Sequence, residues 1–149
     1  MAINIRLLTE NNCAEASLLF DAYRQFYGQD ADLDASSAFL RERLSDKNSV
    51  VLIAYDKHKA VGFTQLYPSY SSVSIKPIWI LNDLYVDHND RRKGIATLLI
   101  SSARDYALST NAVKLIIATA PDNLVAQNLY EKYGFKKDSF IHYYLPLNK

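Results

Sequence analysis

The sequence predicts an α/β protein built on a mixed sheet, and three observations carry that prediction. Apolar residues alternate in several short runs, others recur at helical spacing, and one nearly continuous apolar run, "VKLIIATA", lies between two helical stretches. A chain of 149 residues fits a single domain over 1–149. It is long enough to bury a core without staples.

The elements follow in order. "INIRLLT" alternates as a first strand. In "NNCAEASLLFDAYRQFYG", Cys13, Ala16, Phe20, Tyr23 and Tyr27 share one helical stripe and Gly28 supplies a stop. "DADLD" is a polar break, and "ASSAFLRERLSD" is a second helix with Ala38, Leu40 and Leu44 facing inward. "SVVLIAYD" and "AVGFTQLYP" form a hairpin about Lys57, His58 and Lys59. "SYSSVS" is a loop and "PIWILNDLYV" a long strand. "IATLLISSARDYALS" puts Ile95, Leu98, Leu99, Ser102, Ala103 and Tyr106 on one stripe. "VKLIIATA" is expected as a central strand covered on both faces. "DNLVAQNLYEKY" is a helix ended by Gly134, and "FIHYYLPL" a closing strand. The order is β-α-α-β-β-β-α-β-α-β, with antiparallel strands first and a βαβ-type crossover after them.

Composition excludes several classes. No apolar run reaches membrane-spanning length, and "MAINIRLLTENN" has no basic leader, long apolar segment or cleavage site, so no signal peptide is expected. Cys13 is the only cysteine, which rules out an internal disulfide and leaves it as a small apolar residue. No Cys/His spacing suits zinc, so no metal is expected. The net charge of +1 argues against wholesale nucleic-acid binding. Residues 1–50 carry a net −3 and residues 51–149 a net +4. That split suits a site taking one cation and one anion, and equally suits random surface charge.

The stretch "LNDLYVDHNDRRKGIATLLI" concentrates the chemistry. A strand runs through a polar corner into an amphipathic helix, and Arg91, Arg92, Lys93 and Gly94 crowd the helix start. Helix starts carry unpaired N–H groups and partial positive charge, and favour acidic neighbours. Three cations there make sense if an anion joins them. Gly94 and the small Ala96 let a ligand approach the backbone, and phosphate is the usual anion at such a place. Neither a P-loop nor a dinucleotide fingerprint is present. A solvated basic patch balanced by Asp87 and Asp90 explains the run alone equally well.

The run Arg91–Ala96 matches R/Q-x-x-G-x-G/A, follows a strand ending in Leu84-Tyr85-Val86, and precedes "DNLVAQNLYEKYGF" by about thirty residues. Together these features resemble the GNAT superfamily of acyl-CoA-dependent N-acetyltransferases, over nearly the whole chain. "AYRQFYG", "GFTQLYPSYSS" and "WILNDLYV" further resemble the branch that acetylates polyamines, diamines and other small amines.

That resemblance implies the GNAT fold, in which the fourth and fifth strands splay and acetyl-CoA, the co-substrate, lies in the gap. It implies that the backbone of Leu84, Tyr85 and Val86 pairs with the pantetheine arm. It also implies that the N–H groups of Arg92, Lys93, Gly94, Ile95, Ala96 and Thr97 hold the pyrophosphate, with Arg91 in electrostatic support. Asn123 would hydrogen-bond the pantetheine region and Ala126 pack near it. The reaction is attack of a neutral amine on a thioester. The Val86 N–H is the implied oxyanion donor. Tyr130 is the implied general acid, a phenol of pKa ~10 facing a thiolate of comparable basicity.

Deprotonating the amine is harder to assign. At pH 7 only on the order of one lysine-like amine in two thousand is neutral. Asn82 stands where polyamine acetyltransferases often carry glutamate. In a regular strand Asp83 would face the other side of the sheet, as a structural group. His142 is a titratable alternative. The acceptor pocket is expected to involve Tyr23, Arg24, Tyr27, Tyr67 and Asn82, with Ser69 and Tyr70 beside the loop. Aromatic walls hold an ammonium by cation–π contact, and Asp30, Asp32 and Asp34 can attract it. Arg24 also fits a substrate carboxylate, which keeps an amino acid open as acceptor. Ordinary core and hairpin packing would explain these tyrosines as well.

The sequence thus points to a cytoplasmic acetyltransferase acting on a small primary amine, with a possible homodimer through the tyrosine-rich last strand and no nucleic-acid or membrane partner. A protein lysine or N-terminus as acceptor, and a non-catalytic acyl-CoA-binding module, stay open as alternatives.

Overall fold

A computed structural model describes residues 2–148. The chain divides into two compact units, one running to Ala118 and the other starting at Thr119.

The first unit holds a five-stranded mixed sheet. Strand β1 (Ile3–Leu7) leads into helices α1 (Cys13–Phe26) and α2 (Leu33–Asp46), and three longer strands follow, β2 (Val50–Asp56), β3 (Lys59–Ser71) and β4 (Lys76–Val86). Helix α3 (Ile95–Ser109) then crosses to β5 (Leu115–Ile117). The spatial order is β1-β2-β3-β4-β5. The first three pairings are antiparallel and β4–β5 is parallel. This is the mixed α/β architecture the sequence predicts.

Local chemistry sets most of the boundaries. Thr9 and Asn12 form a capping box on the short turn entering α1, with Thr9 N–H donating to Asn12 Oδ1 at 2.8 Å. Helix α1 stops at Gly28, which takes φ 87°. The Asp32 carboxylate accepts the Ala35 N–H at 3.0 Å and starts α2. Lys57 and His58 make the two-residue turn between β2 and β3, with Lys57 at φ 57°.

The two sheet faces are covered by different helices. Cys13, Ala16, Leu19 and Phe20 of α1 and Leu40 of α2 pack on Val51, Ile53, Tyr55 and Phe63. Gly62 points the other way, toward α3. A Cβ there would lie 2.8 Å from the Tyr85 carbonyl oxygen and 3.4 Å from Leu99 Cδ1. Neighbouring residues of a strand face opposite sides, so Phe63 and Gly62 mark the two layers.

Several expectations are corrected. Residues 69–71 belong to β3, so the expected loop is a shorter turn from 72 to 75. On α2 the buried positions are Ser36 and Leu40, while Ala38 is exposed, because the Ser36 hydroxyl donates to buried Asp21 at 2.8 Å. On α3 Leu98 is exposed and Ile100 is buried instead. The run "VKLIIATA" yields only three strand residues, half-buried at the sheet edge rather than central.

The second unit contains α4 (Leu124–Tyr133), capped by Asn123 and closed by Gly134 at φ 124°. Among the described residues, the expected closing strand "FIHYYLPL" is absent from the sheet, and Phe140, Tyr143 and Tyr144 are exposed. Its alternation is a property of the segment alone, whereas a strand also needs a paired edge. No described helix is long and apolar enough to cross a membrane.

Candidate functional site

The site begins with an irregularity in β4. In the β3–β4 ladder Gln65 pairs with Asp83 and Leu66 with Leu81, so Asn82 is an extra residue with no partner. Such a bulge bends its strand and disrupts pairing. On the other side of β4, β5 pairs with Trp79, Ile80 and Leu81 and goes no further. Beyond Leu81, no strand pairs with β4 on that edge among the described residues.

The register fixes which groups face the open edge. The Asp87 N–H donates to the Val61 carbonyl at 2.8 Å. Hydrogen-bonded pairs alternate in an antiparallel ladder, so Val86 opposite Gly62 and Leu84 opposite Thr64 turn their N–H and C=O groups away from β3. Tyr85 turns its own toward Phe63. Of Leu84, Tyr85 and Val86, the first and last thus turn backbone groups to the edge facing away from β3, and Tyr85 does not.

Among the described residues, no hydrogen bond engages the amides of Arg92 to Thr97 at the corner after β4. Gly94 precedes α3 at φ 78°, Arg92 takes φ 64°, no side chain caps the helix, and its first turn holds no acidic residue. The Leu98 N–H is the first to reach back, to the Gly94 carbonyl at 3.1 Å. A Cβ on Gly94 would meet open space. A left-handed residue other than glycine costs about 1–2 kcal/mol, and Arg92 bears that cost at the corner.

The cations there have different partners. Lys93 Nζ lies 3.2 Å from Asp90 Oδ1, and Lys59 Nζ 3.5 Å from Asp90 Oδ2, so part of the patch is balanced internally. Asp87 instead accepts the Asn89 N–H. Arg91 folds back. Its Nε–H donates to the Val86 carbonyl at 3.0 Å, and its guanidinium lies over the rings of Phe26 at 5.2 Å and Tyr85 at 5.7 Å. Among the described residues, Arg92 has no ion pair.

A second constellation lies on the α1 side of the sheet. The Tyr23 hydroxyl donates to Asp83 Oδ1 at 2.7 Å. Gln65 Nε2 donates to Asp83 Oδ2 at 3.0 Å, and Asn82 Nδ2 to Oδ1 at 3.1 Å. The regular-strand argument that separated Asn82 from Asp83 is thus corrected, because the bulge brings the Asn82 amide onto the Asp83 carboxylate. Asp83 is buried, and Gln65 is wholly buried with its Oε1 unpartnered. Tyr23 packs edge-on to Tyr27 at 5.1 Å and to Tyr85 at 5.8 Å. Burial first, and then the bond to Asp83, raise the Tyr23 phenol well above its ordinary value. Burial and the charge of Asp83 raise Tyr67 too, while Arg43 opposes them.

Arg24 Nη1 is engaged within the protein, 3.5 Å from Asp21 and 3.3 Å from the Asp30 carbonyl, where it braces the α1–α2 loop. Tyr70 is exposed at the end of β3. In the second unit the Asn123 side chain accepts the Ala126 N–H at 3.1 Å. Tyr130 sits one turn before the end of α4, with its ring 5.8 Å from that of Phe135. His142 is exposed, 3.6 Å from Asp138. Sequence reasoning passed over Gln65 and Phe26 and set Asp83 aside. A polar residue inside the apolar β3 pattern was the one available signal for Gln65.

Comparison with known proteins gives this geometry a family. The family model described as "Acetyltransferase (GNAT) family" matches residues 16–135. An uncharacterized N-acetyltransferase, YhfO of Bacillus subtilis (strain 168), is 45% identical over 144 residues, covering 96% of this chain and 97% of that protein. A crystal structure of a probable acetyltransferase superposes with a TM-score of 0.93 at 40% identity, covering 98% of this chain and 99% of that one. The aminoglycoside N-acetyltransferase AAC(6')-Iy in complex with CoA shares the fold at a TM-score of 0.83 and 19% identity, covering 99% and 96% of the two chains. With the family model spanning most of its length and a near full-length relative, the chain belongs to the GNAT family of acetyltransferases.

Proposed function

We propose that this protein transfers an acetyl group from acetyl-CoA to a primary amine of a small molecule, and that its two units act as one catalytic domain. The observation that carries the proposal is the continuity of the open β4 edge with the uncapped corner. Leu84 and Val86 turn backbone groups outward, and a few residues later the amides of 92–97 have no side-chain cap amid three cations. A linear ligand with an amide-bearing arm and a diphosphate end fits that sequence of groups. The family match crosses from one unit into the other, which supports reading them together.

Acetyl-CoA supplies an acetyl group activated as a thioester. The chain supplies the rest. Leu84 and Val86 bind the arm as an added strand, and the Val86 N–H donates to the carbonyl oxygen as negative charge builds on it. Arg92 and the corner amides hold the diphosphate, and Arg91 keeps the corner against β4. Asn123 offers its side-chain N–H to the arm while its oxygen caps α4. Tyr130 gives its phenolic proton to the departing sulfur, and the proton the attacking amine releases passes through solvent to restore the phenol. Tyr23, Tyr27, Tyr67 and Asn82 receive the amine. Because Arg24 is occupied by Asp21 and Asp30, a cationic amine without a carboxylate fits this side better than an amino acid.

Two measurements test the proposal. Calorimetry with CoA and acetyl-CoA is expected to show saturable binding to the full chain. Thiol release from acetyl-CoA with a panel of diamines, polyamines and aminoglycosides is expected to identify at least one acceptor. Absence of binding refutes the coenzyme assignment. Binding with turnover only on protein lysines or N-termini refutes the small acceptor.

A further inference from the structure

We propose that Asp83 is a positioning residue that turns Tyr23 into an oriented hydrogen-bond acceptor and supplies the counter-charge for the ammonium form of the acceptor. The inference rests on the amine reading above and gives it a specificity-determining group.

The surroundings of Asp83 are electrically unbalanced. Asp83 is buried, and its three hydrogen bonds come from a phenol and two amides, all neutral. No salt bridge reaches it among the described residues. Buried carboxylates are costly unless paired with a cation or fully hydrogen-bonded, so this cluster lacks a positive partner.

The second observation concerns acceptors. The Tyr23 hydroxyl spends its only proton on Asp83, so its remaining lone pairs can only accept. No described donor fills them. Gln65, wholly buried, gives its amide N–H to the same carboxylate and leaves Oε1 without a partner. An unmet buried acceptor on Gln65 and open lone pairs on half-buried Tyr23, beside a carboxylate with no cation, call for a group rich in N–H donors and positive charge.

The third observation is the wall. Tyr23 meets Tyr27 and Tyr85 edge to face, Tyr85 already carries the Arg91 guanidinium, and Tyr67 is near enough to feel the Asp83 charge, which leaves Tyr23, Tyr27 and Tyr67 for a ligand. Ring faces attract cations. A primary alkylammonium, with three N–H donors and one charge, matches this set, whereas an alcohol of the same length offers one donor and no charge.

The test is an NMR titration of the full chain carrying ring-labelled tyrosine, with n-butylammonium chloride and 1-butanol as probes. The Tyr23 signals, assigned with Tyr23→Phe, are expected to shift with the ammonium and not with the alcohol. Asp83→Asn, which keeps the shape and removes the charge, is expected to weaken the ammonium response about tenfold or more. Equal response to both probes, no response to either, or wild-type affinity in folded Asp83→Asn overturns the proposal. Should Asp83→Asn fail to fold, Tyr23→Phe carries the test. It spares the Gln65 and Asn82 bonds, its loss of the Tyr27 and Tyr67 response supports the proposal, and an unchanged response overturns it. Coenzyme calorimetry on the same samples reads separately, so loss of CoA binding with the ammonium response intact refutes the transferase reading and not this one.

Discussion

Arg91 Nε–H donates to the Val86 carbonyl at 3.0 Å, so the basic corner is latched to the last residue of β4. The latch lies on the open edge of the strand, and the rings of Phe26 and Tyr85 flank the same guanidinium. Arg91→Ala is therefore expected to cost about 1–2 kcal/mol of coenzyme affinity, roughly tenfold in Kd. Arg91→Lys should restore little of it, because lysine has no planar fork to stack and bond together. Calorimetry with CoA checks both.

Gly62 decides whether α3 and β4 sit together. A methyl group there would approach the Tyr85 carbonyl oxygen to 2.8 Å, a backbone atom that cannot rotate away. Gly62→Ala is expected to destabilise the protein by about 1–3 kcal/mol, the usual cost of overpacking. Thermal and urea unfolding measure it.

Tyr130→Phe is expected to keep coenzyme affinity and lose about 10²- to 10⁴-fold in turnover, the range for a removed general acid. Steady-state kinetics with whichever acceptor the amine panel identifies, beside calorimetry with CoA, separates the two effects. An equal loss in binding would make Tyr130 a packing residue.

The α1–α2 loop carries a pH-dependent brace. Asp21 accepts the Asp32 N–H, the Ser36 hydroxyl and the Gln25 amide, and lies beside Arg24. The Asp32 N–H foremost, then Ser36, Arg24 and Gln25, hold its carboxyl below the ordinary 3.8 against the opposing effect of burial. The unfolded chain then takes up the proton more readily than the folded one. Its stabilising contribution is complete above the unfolded value and disappears as pH falls through the lower folded value. The stability gap between wild type and Asp21→Asn is expected to hold above the ordinary 3.8 and to shrink as the pH falls below it in urea unfolding.

How much of this was legible in the sequence follows from how local each feature is. The α1 stripe from Cys13 to Tyr23, a tight turn after Asp56 and the stops at Gly28 and Gly134 depend on neighbours in the chain, and the structure carries them, though Lys59 joins β3 and Tyr27 lies exposed beyond the helix. The Asn82 bulge does not show in a period-two pattern, because alternation cannot reveal which residue is skipped by the partner strand. That one shift moved Asn82 onto Asp83 and ended the β5 pairing. Ser36 displaced Ala38 from the buried face of α2 because Asp21, fifteen residues earlier, needed a donor. Arg24 looked available until the loop carbonyl of Asp30 folded onto it. The last apolar segment read as a strand, and no periodicity could say whether an edge would be there to receive it.

The most direct test follows the backbone amides of a ¹⁵N-labelled full chain by NMR as CoA is added. The account predicts that the amides of Arg92 to Thr97, together with those of Leu84 and Val86, shift on saturation and become protected from exchange. Saturable binding of CoA that leaves these amides unmoved would contradict it.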